Sequence, residues 1–236
     1  MNLRPDLAVI ARHVAPGSRV LDVGCGEGEL MAVLRETKGA DARGMEIDPG
    51  EVEKAVARGL SVVQGDASRD LADYPDAAFD YAILSQTLQT AERPDLMLDE
   101  LLRIGRKAFV SFPNFAHWRM RAYLLAWGRM PVTRHLPVSW YETQNIHHVT
   151  VTDFRELLRE KGVAIEKSWF FAGGRELARG ICGVPAEPVA DLPAAGQPAW
   201  SAAAGRLFRW SRRSPPIAPK PRIISAQVPG SGIAPV

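Results

Sequence analysis

The sequence predicts an α/β fold with a doubly wound, mostly parallel sheet, and three observations carry that expectation. Short β-branched, apolar runs alternate with helical patterns from residue 19 to residue 171. The links between them are short, as strand–helix–strand units wound on both faces of a sheet require. The run Val20-Leu21-Asp22-Val23 passes directly into Gly24-Cys25-Gly26-Glu27-Gly28 and then a helical pattern. Strand, glycine turn and helix in that order build a ligand pocket at the carboxyl end of a parallel strand.

The elements follow in turn. Leu7, Ile10, Ala11 and Val14 keep the i, i+3, i+4, i+7 spacing of a helix ahead of the sheet, and Pro16-Gly17 turns the chain into the first strand. Leu30, Met31, Val33 and Leu34 give the next helix its inner face, which ends before Gly39. Residues 42–47 form a second strand, Pro49 opens a helix to about Arg58, and residues 60–64 form a third strand. Phe79-Asp80-Tyr81-Ala82-Ile83-Leu84 is a fourth strand running on to Ser85-Gln86-Thr87. Pro94 starts a helix lined by Leu98, Leu101 and Leu102, and Lys107 to Phe112 is a fifth strand. Asp153 to Lys161 is a helix with Phe154, Leu157 and Leu158 inward, and Val163 to Phe171 is a sixth strand.

Two stretches break the rhythm. Residues 113–149 are an insertion rich in aromatic and basic side chains, placed to cap the pocket. Residues 174–236 form a Pro/Ala-rich basic tail, with 10 of the 18 prolines beyond residue 184 and no sustained periodicity, so disorder is expected there. The domain boundary falls at residue 173. The composition changes as abruptly as it would if another reading frame had replaced the original C-terminus. Residues 1–174 hold 21 basic and 24 acidic side chains, and the rest holds 8 basic and 3 acidic ones. An acidic core with a basic tail does not suit a nucleic-acid partner. No apolar run reaches 18 residues, and the N-terminus lacks an apolar signal region, so a cytoplasmic chain without membrane spans is expected. The two cysteines, Cys25 and Cys182, form no C-x-x-C pair, and no metal site is expected.

The charge around the glycine turn narrows the ligand. A dinucleotide site uses G-x-G-x-x-G and sets a pyrophosphate on the helix N-terminus. Here the spacing is G-x-G-x-G, with Asp22 before it and Glu27 inside it. Two carboxylates repel a pyrophosphate and suit a ligand with a cationic end, such as the ammonium of S-adenosylmethionine (SAM). A second strand-end acid after Asp22, Glu46, ends the next strand ahead of Ile47 and suits a ribose diol; a third strand-end acid, Asp66, followed by Ala67, suits the adenine amino group. Each acid alone reads equally well as a helix cap or a solvated loop residue. Their occurrence at successive strand ends favours a ligand site.

Methyl transfer from a sulfonium needs donor and acceptor aligned, and sometimes a base. The available bases are His117, Tyr141, His147 and His148, all in the insertion, and Asn114 is placed to orient an acceptor. His147, Tyr141 and Asn114 are the catalytic candidates, weighed against ordinary structural or surface roles. Ser111-Phe112-Pro113-Asn114 lacks the N-P-P-[YF] pattern used on amide or base nitrogens. The aromatic-basic run from Trp118 through Trp127 to Arg134 reads as a lid, a partner surface or a helix packed on the core.

Asp22 through Gly28, Glu46 and Asp66 resemble the SAM-binding motifs of Rossmann-like, class I methyltransferases. Ser85-Gln86-Thr87-Leu88-Gln89, Ser111 to Trp118, Gly128 to Thr133 and Trp140 to His147 resemble the methionine biosynthesis family MetW, from about residue 3 to about residue 172. The resemblance implies a class I methyltransferase fold and a link to bacterial methionine synthesis. It also implies action with a homoserine O-acyltransferase (MetX) as accessory or regulatory partner. By the same resemblance Gly24, Gly26 and Gly28, with Cys25, would line the methionine end of SAM or S-adenosylhomocysteine. Glu46 and Ile47 would meet the ribose, Asp66 and Ala67 the adenine, and Ser85 the neighbouring strand end. The alternative reading is a SAM-dependent methyltransferase acting on a small-molecule acceptor. The family pattern continues into a seventh strand paired with the sixth, and residues 173–180 show no such strand.

Overall fold

The computed structural model of the protein describes residues 3–132, 139–140, 142–172, 175–177 and 222–229. Helix α1 (Pro5–His13) begins with a proline, whose fixed φ suits a first turn that needs no N–H partner. Strand β1 (Arg19–Val23) leads through the glycine turn into α2 (Glu29–Lys38). Gly39 stops α2 at φ 59°, its N–H returning to the carbonyls of Arg35 and Leu34. Strand β2 (Asp41–Glu46) is followed by α3 (Pro49–Ala57), whose N-cap Asp48 accepts the N–H groups of Gly50 and Glu51. Then come β3 (Ser61–Gln64), the one-turn α4 (Ala67–Asp70), β4 (Phe79–Ser85) and α5 (Pro94–Ile104). Strand β5 (Gly105–Asn114), α6 (Trp118–Trp127), α7 (Val151–Glu160) and β6 (Ala164–Ala172) follow. Two further strands are β7 (Arg175–Leu177) and β8 (Arg222–Pro229).

The sheet order is β3-β2-β1-β4-β5-β8-β6-β7, parallel throughout except for the antiparallel edge pair β6–β7. The order reverses between β1 and β4, and open α/β sheets place their ligand crevice outside the carboxyl ends of strands at such a switch. Both faces are covered. Leu98 and Leu101 of α5 and Phe154 and Leu158 of α7 pack on one side, with Phe112 and Phe154 rings 4.8 Å apart. Ile10 of α1 and Leu34 of α2 pack with Ile83 and Phe109 on the other. The central parallel strands therefore carry continuous apolar runs rather than alternation, as β4 shows from Ala82 to Leu84.

The C-terminal region departs from the sequence expectation in two places. Residues 175–177 do form a strand, too short to leave a sequence pattern: only three residues pair with β6, from Phe170↔Leu177 to Ala172↔Arg175. Within the expected tail, residues 222–229 occupy a central position, parallel to β5 on one side and β6 on the other. Ile223, Ile224 and Val228 between Pro221 and Pro229 are the β-branched signal for it. Both prolines fall at the strand's limits, where a missing N–H is tolerated. The rest of the tail, residues 178–221 and 230–236, lies outside the described residues.

Candidate functional site

Positive φ angles at Gly24, Gly26 and Gly28 (72°, 53° and 76°) wrap the turn after β1 into a cradle. The Gly24 N–H bonds to the Met45 carbonyl at 2.8 Å, tying the turn to the end of β2. A Cβ on Gly24 would collide with the Thr87 hydroxyl, and one on Gly28 with Leu60, so no other residue fits either place. Glu46 closes the cradle. Its Oε2 accepts the Gly26 N–H at 2.8 Å, and its Oε1 accepts those of Ile47 (2.8 Å) and Asp48 (3.1 Å). An ionised carboxylate has about four lone-pair positions, so one remains for an outside donor such as a sugar hydroxyl.

Beside this turn opens a cavity of 240 Å³ lined by Arg4, Asp22, Gly24, Cys25, Gly26 and Ser85, among others. Asp22 is 3% exposed. Burial pushes its carboxyl up to about 7; the Arg4 guanidinium opposes the shift, while Glu46 and Asp6 add to it. Arg4 Nη2 reaches Ser85 Oγ at 2.7 Å and Asp6 Oδ2 at 3.4 Å. Asp6 is fully buried on α1, and its Oδ2 also accepts the hydroxyls of Ser85 (3.0 Å) and Ser111 (2.9 Å). One wall of the cavity thus offers a guanidinium held by a buried carboxylate and a serine, and another offers a buried carboxylate. That pair of charges matches the carboxylate and ammonium of an amino acid. Burial, followed by the charges of Asp22 and Glu46, pushes the Cys25 thiol well above its ordinary range, so it stays protonated and unreactive.

The residues singled out in the sequence separate into three groups. Asp22, Gly24, Cys25, Gly26 and Ser85 meet in the cavity, with Gly28 and Glu46 bounding the turn. Ile47 lies just beyond β2 and is 63% exposed, an apolar surface open to a stacking ring. Asp66 and Ala67 stand at the carboxyl end of β3. There Asp66 Oδ1 caps α4 by accepting the Ser68 N–H at 2.9 Å, and Oδ2 pairs with Arg69 at 3.3 Å.

Among the catalytic candidates, Asn114 spends its Oδ1 on the Ala116 N–H (3.1 Å), and His147 sits with Nε2 3.4 Å from the Glu92 carbonyl. Neither lines the cavity. Tyr141 falls outside the described residues. His117 caps α6 through Nδ1, and burial with the nearby Arg119 charge lowers its pKa, which keeps it neutral.

Glu27 lines the cavity and carries its own cation partners. It pairs with Lys54 (3.1 Å) and Arg58 (2.5 Å) of the neighbouring helix region, and these partners lower its pKa. Of the other carboxylates at the cavity, Glu51 is paired with Lys54, Asp22 is buried and Glu29 opens α2, while Glu46 bounds the turn. Arg4 was missed because a lone arginine before Pro5 carries no motif; only the fold brings α1 to the end of β4. Among the described residues no three His, Cys, Asp or Glu side chains are grouped to hold a metal ion, and no helix is long and apolar enough to cross a membrane.

With this geometry in place, comparison with known proteins identifies the family. The profile of the family described as methionine biosynthesis protein MetW matches residues 4–180. The chain belongs to the MetW family. It is 34% identical over 180 residues to a bifunctional methionine biosynthesis protein MetXA/MetW from Rhodopirellula baltica, covering 72% of this chain and 29% of that protein's length. It is also 31% identical over 170 residues to a ubiquinone biosynthesis O-methyltransferase from Xylella fastidiosa, covering 68% of this chain and 67% of the relative.

Among solved structures, a SAM-dependent methyltransferase from Archaeoglobus fulgidus superposes with a TM-score of 0.53 at 19% identity. It covers 67% of this chain and 66% of that one. A second, from Thermotoga maritima and described as a possible histamine N-methyltransferase, gives 0.50 at 22% identity, over 67% and 69%. These neighbours establish a class I methyltransferase fold for the MetW-family chain.

Proposed function

We propose that the chain binds SAM or S-adenosylhomocysteine and serves methionine synthesis as a cytoplasmic accessory and regulatory partner of homoserine O-acyltransferase. The observation that carries the ligand is the pairing of Arg4 with Asp22 across the cavity beside the glycine turn. An amino-acid moiety presents a carboxylate and an ammonium, and the sulfonium next to it adds a second cation that favours carboxylate walls. Glu46, held by three backbone N–H groups, is placed at the strand end where a ribose diol would lie. Ile47 offers an apolar face to the adenine, and Asp66 keeps a partly exposed carboxylate near it.

The partner is supported by the Rhodopirellula baltica relative, whose name joins MetXA and MetW in one protein. SAM lies downstream of methionine, so a SAM pocket on an accessory subunit reports pathway output. Such coupling requires SAM to prefer one state of the complex. Titration calorimetry of the full chain with SAM and S-adenosylhomocysteine tests the ligand. Saturable binding that weakens in Asp22→Ala and Arg4→Ala supports it, and heats of dilution alone end it.

A second reading, a methyltransferase for a small-molecule acceptor, draws on the Xylella fastidiosa relative. Bound SAM would then supply an electrophilic methyl group to an acceptor entering near Asn114 and the 139–149 segment. Methyl transfer from labelled SAM to a metabolite pool, lost in His147→Ala, favours that reading.

A further inference from the structure

The geometry points to the exposed stripe of α6, Trp118 and Leu125 between Arg119 and Arg121, as the surface that docks onto the homoserine O-acyltransferase. This rests on the accessory reading above and names the surface it uses. Of the ten residues of α6 only Met120 is buried. Trp118 is 54% exposed and Leu125 91%. Seven residues make almost two helical turns, so these two side chains share one face, about 20° apart. On the same wheel Arg119 flanks the stripe on one side and Arg121 on the other. Trp127 projects from the opposite side and stacks on Tyr123 with centroids 4.9 Å apart. The Arg119 guanidinium lies 5.3 Å from the Trp118 ring centroid, which holds the indole in one orientation before any partner arrives. The result is an apolar face of Leu125, Trp118, Ala122 and Ala126, with a cation along each side.

Charge and the architecture of a relative select the occupant. Residues 118–132 carry three arginines and no carboxylate. The chain's own segment 178–221 carries six basic and two acidic residues, so it would bring like charge to the ridge. A second copy meeting the same stripe would set arginine against arginine. An apolar groove with an acidic rim on a folded protein satisfies ridge and flanks together. A partner presented beside a MetW-type domain is the MetXA portion of the Rhodopirellula baltica relative. The acyltransferase is therefore the occupant to which the stripe is assigned.

The test measures binding of the full-length chain to the homoserine O-acyltransferase of the same organism, with SAM calorimetry on every variant. Trp118→Ala and Leu125→Asp are each expected to raise Kd about 30-fold or more, as buried interface anchors do. The double change Arg119→Glu with Arg121→Glu should weaken the complex and reverse its salt dependence. SAM affinity should stay at the wild-type value in all three, which shows that the pocket and fold are intact. A wild-type complex that the variants form equally well places the interface elsewhere and overturns the assignment while leaving the accessory role standing. No complex with the wild type overturns both. Sedimentation with phosphatidylglycerol vesicles that Leu125→Asp abolishes would reassign the ridge to a membrane. A dimer that the same variant abolishes would reassign it to self-association.

Discussion

Replacing Asp22 with Asn should stabilise the protein at neutral pH while weakening its ligand site. Asp22 is 3% exposed, and burial raises its carboxyl from 3.8 in the unfolded chain to about 7. Between those two values the native state holds a proton that the unfolded state has released. Stability contributed by this group is therefore complete below pH 4 and is lost as pH rises to about 7. A shift of about three units, at about 1.4 kcal/mol each, makes the loss on the order of 4 kcal/mol. Asparagine does not titrate, so its advantage over aspartate should grow by about 1.4 kcal/mol per pH unit from 4 to 7 and level off above. Urea denaturation of both proteins at half-unit pH intervals measures the difference, in which all other titrations cancel. An advantage that stays constant across this range, or one that shrinks toward pH 8, would refute the claim that burial governs Asp22.

Further outcomes follow from the same geometry. SAM affinity should tighten about tenfold per pH unit up to about 7 and then level, because the ammonium binds the ionised Asp22; calorimetry at pH 6, 7 and 8 checks this, and Asp22→Asn should flatten the profile. Arg4→Ala should weaken SAM binding about 10- to 100-fold, the worth of a charge-assisted hydrogen bond, and unchanged affinity would remove Arg4 from the site. Ser225→Pro should cost about 3 kcal/mol or more in urea midpoint analysis, since β8 is bonded to β5 and β6 along its length. An unaffected midpoint would mean that residues 222–229 contribute nothing to the sheet. Leu98→Ala, at a fully buried position between α5 and the sheet, should cost about 2–5 kcal/mol.

The part of this protein legible in its sequence is the part where local pattern and tertiary role coincide. β1, its glycine turn and α2 announce themselves because Val20, Leu21 and Val23 mark a buried strand and the turn needs positive φ at Gly24, Gly26 and Gly28. Prolines at 49 and 94 sit in first helical turns, so two helix starts could be read directly, and Pro5 opens α1 in the same way. The site was only half visible. Arg4 and Asp6 reach it from α1 through long-range bonds to Ser85 and Ser111, and no local spacing encodes that. Glu27 lines the cavity beside the turn, but its pairing with Lys54 and Arg58 is set by the fold and no local spacing encodes it. β8 was hidden for a different reason: its Ile-Ile-x-x-x-Val pattern lies in proline-rich chain, and its place between β5 and β6 depends entirely on distant partners.

The central claim is that a MetW-family chain with a SAM pocket modulates homoserine O-acyltransferase. The most direct test assays the purified acyltransferase with and without this chain while SAM is titrated, using Asp22→Ala as the pocket control. Adding the chain is expected to change acyltransferase activity, SAM to shift the change in a saturable way, and the pocket variant to keep the first effect and lose the second. Acyltransferase activity indifferent to both the chain and SAM would contradict it.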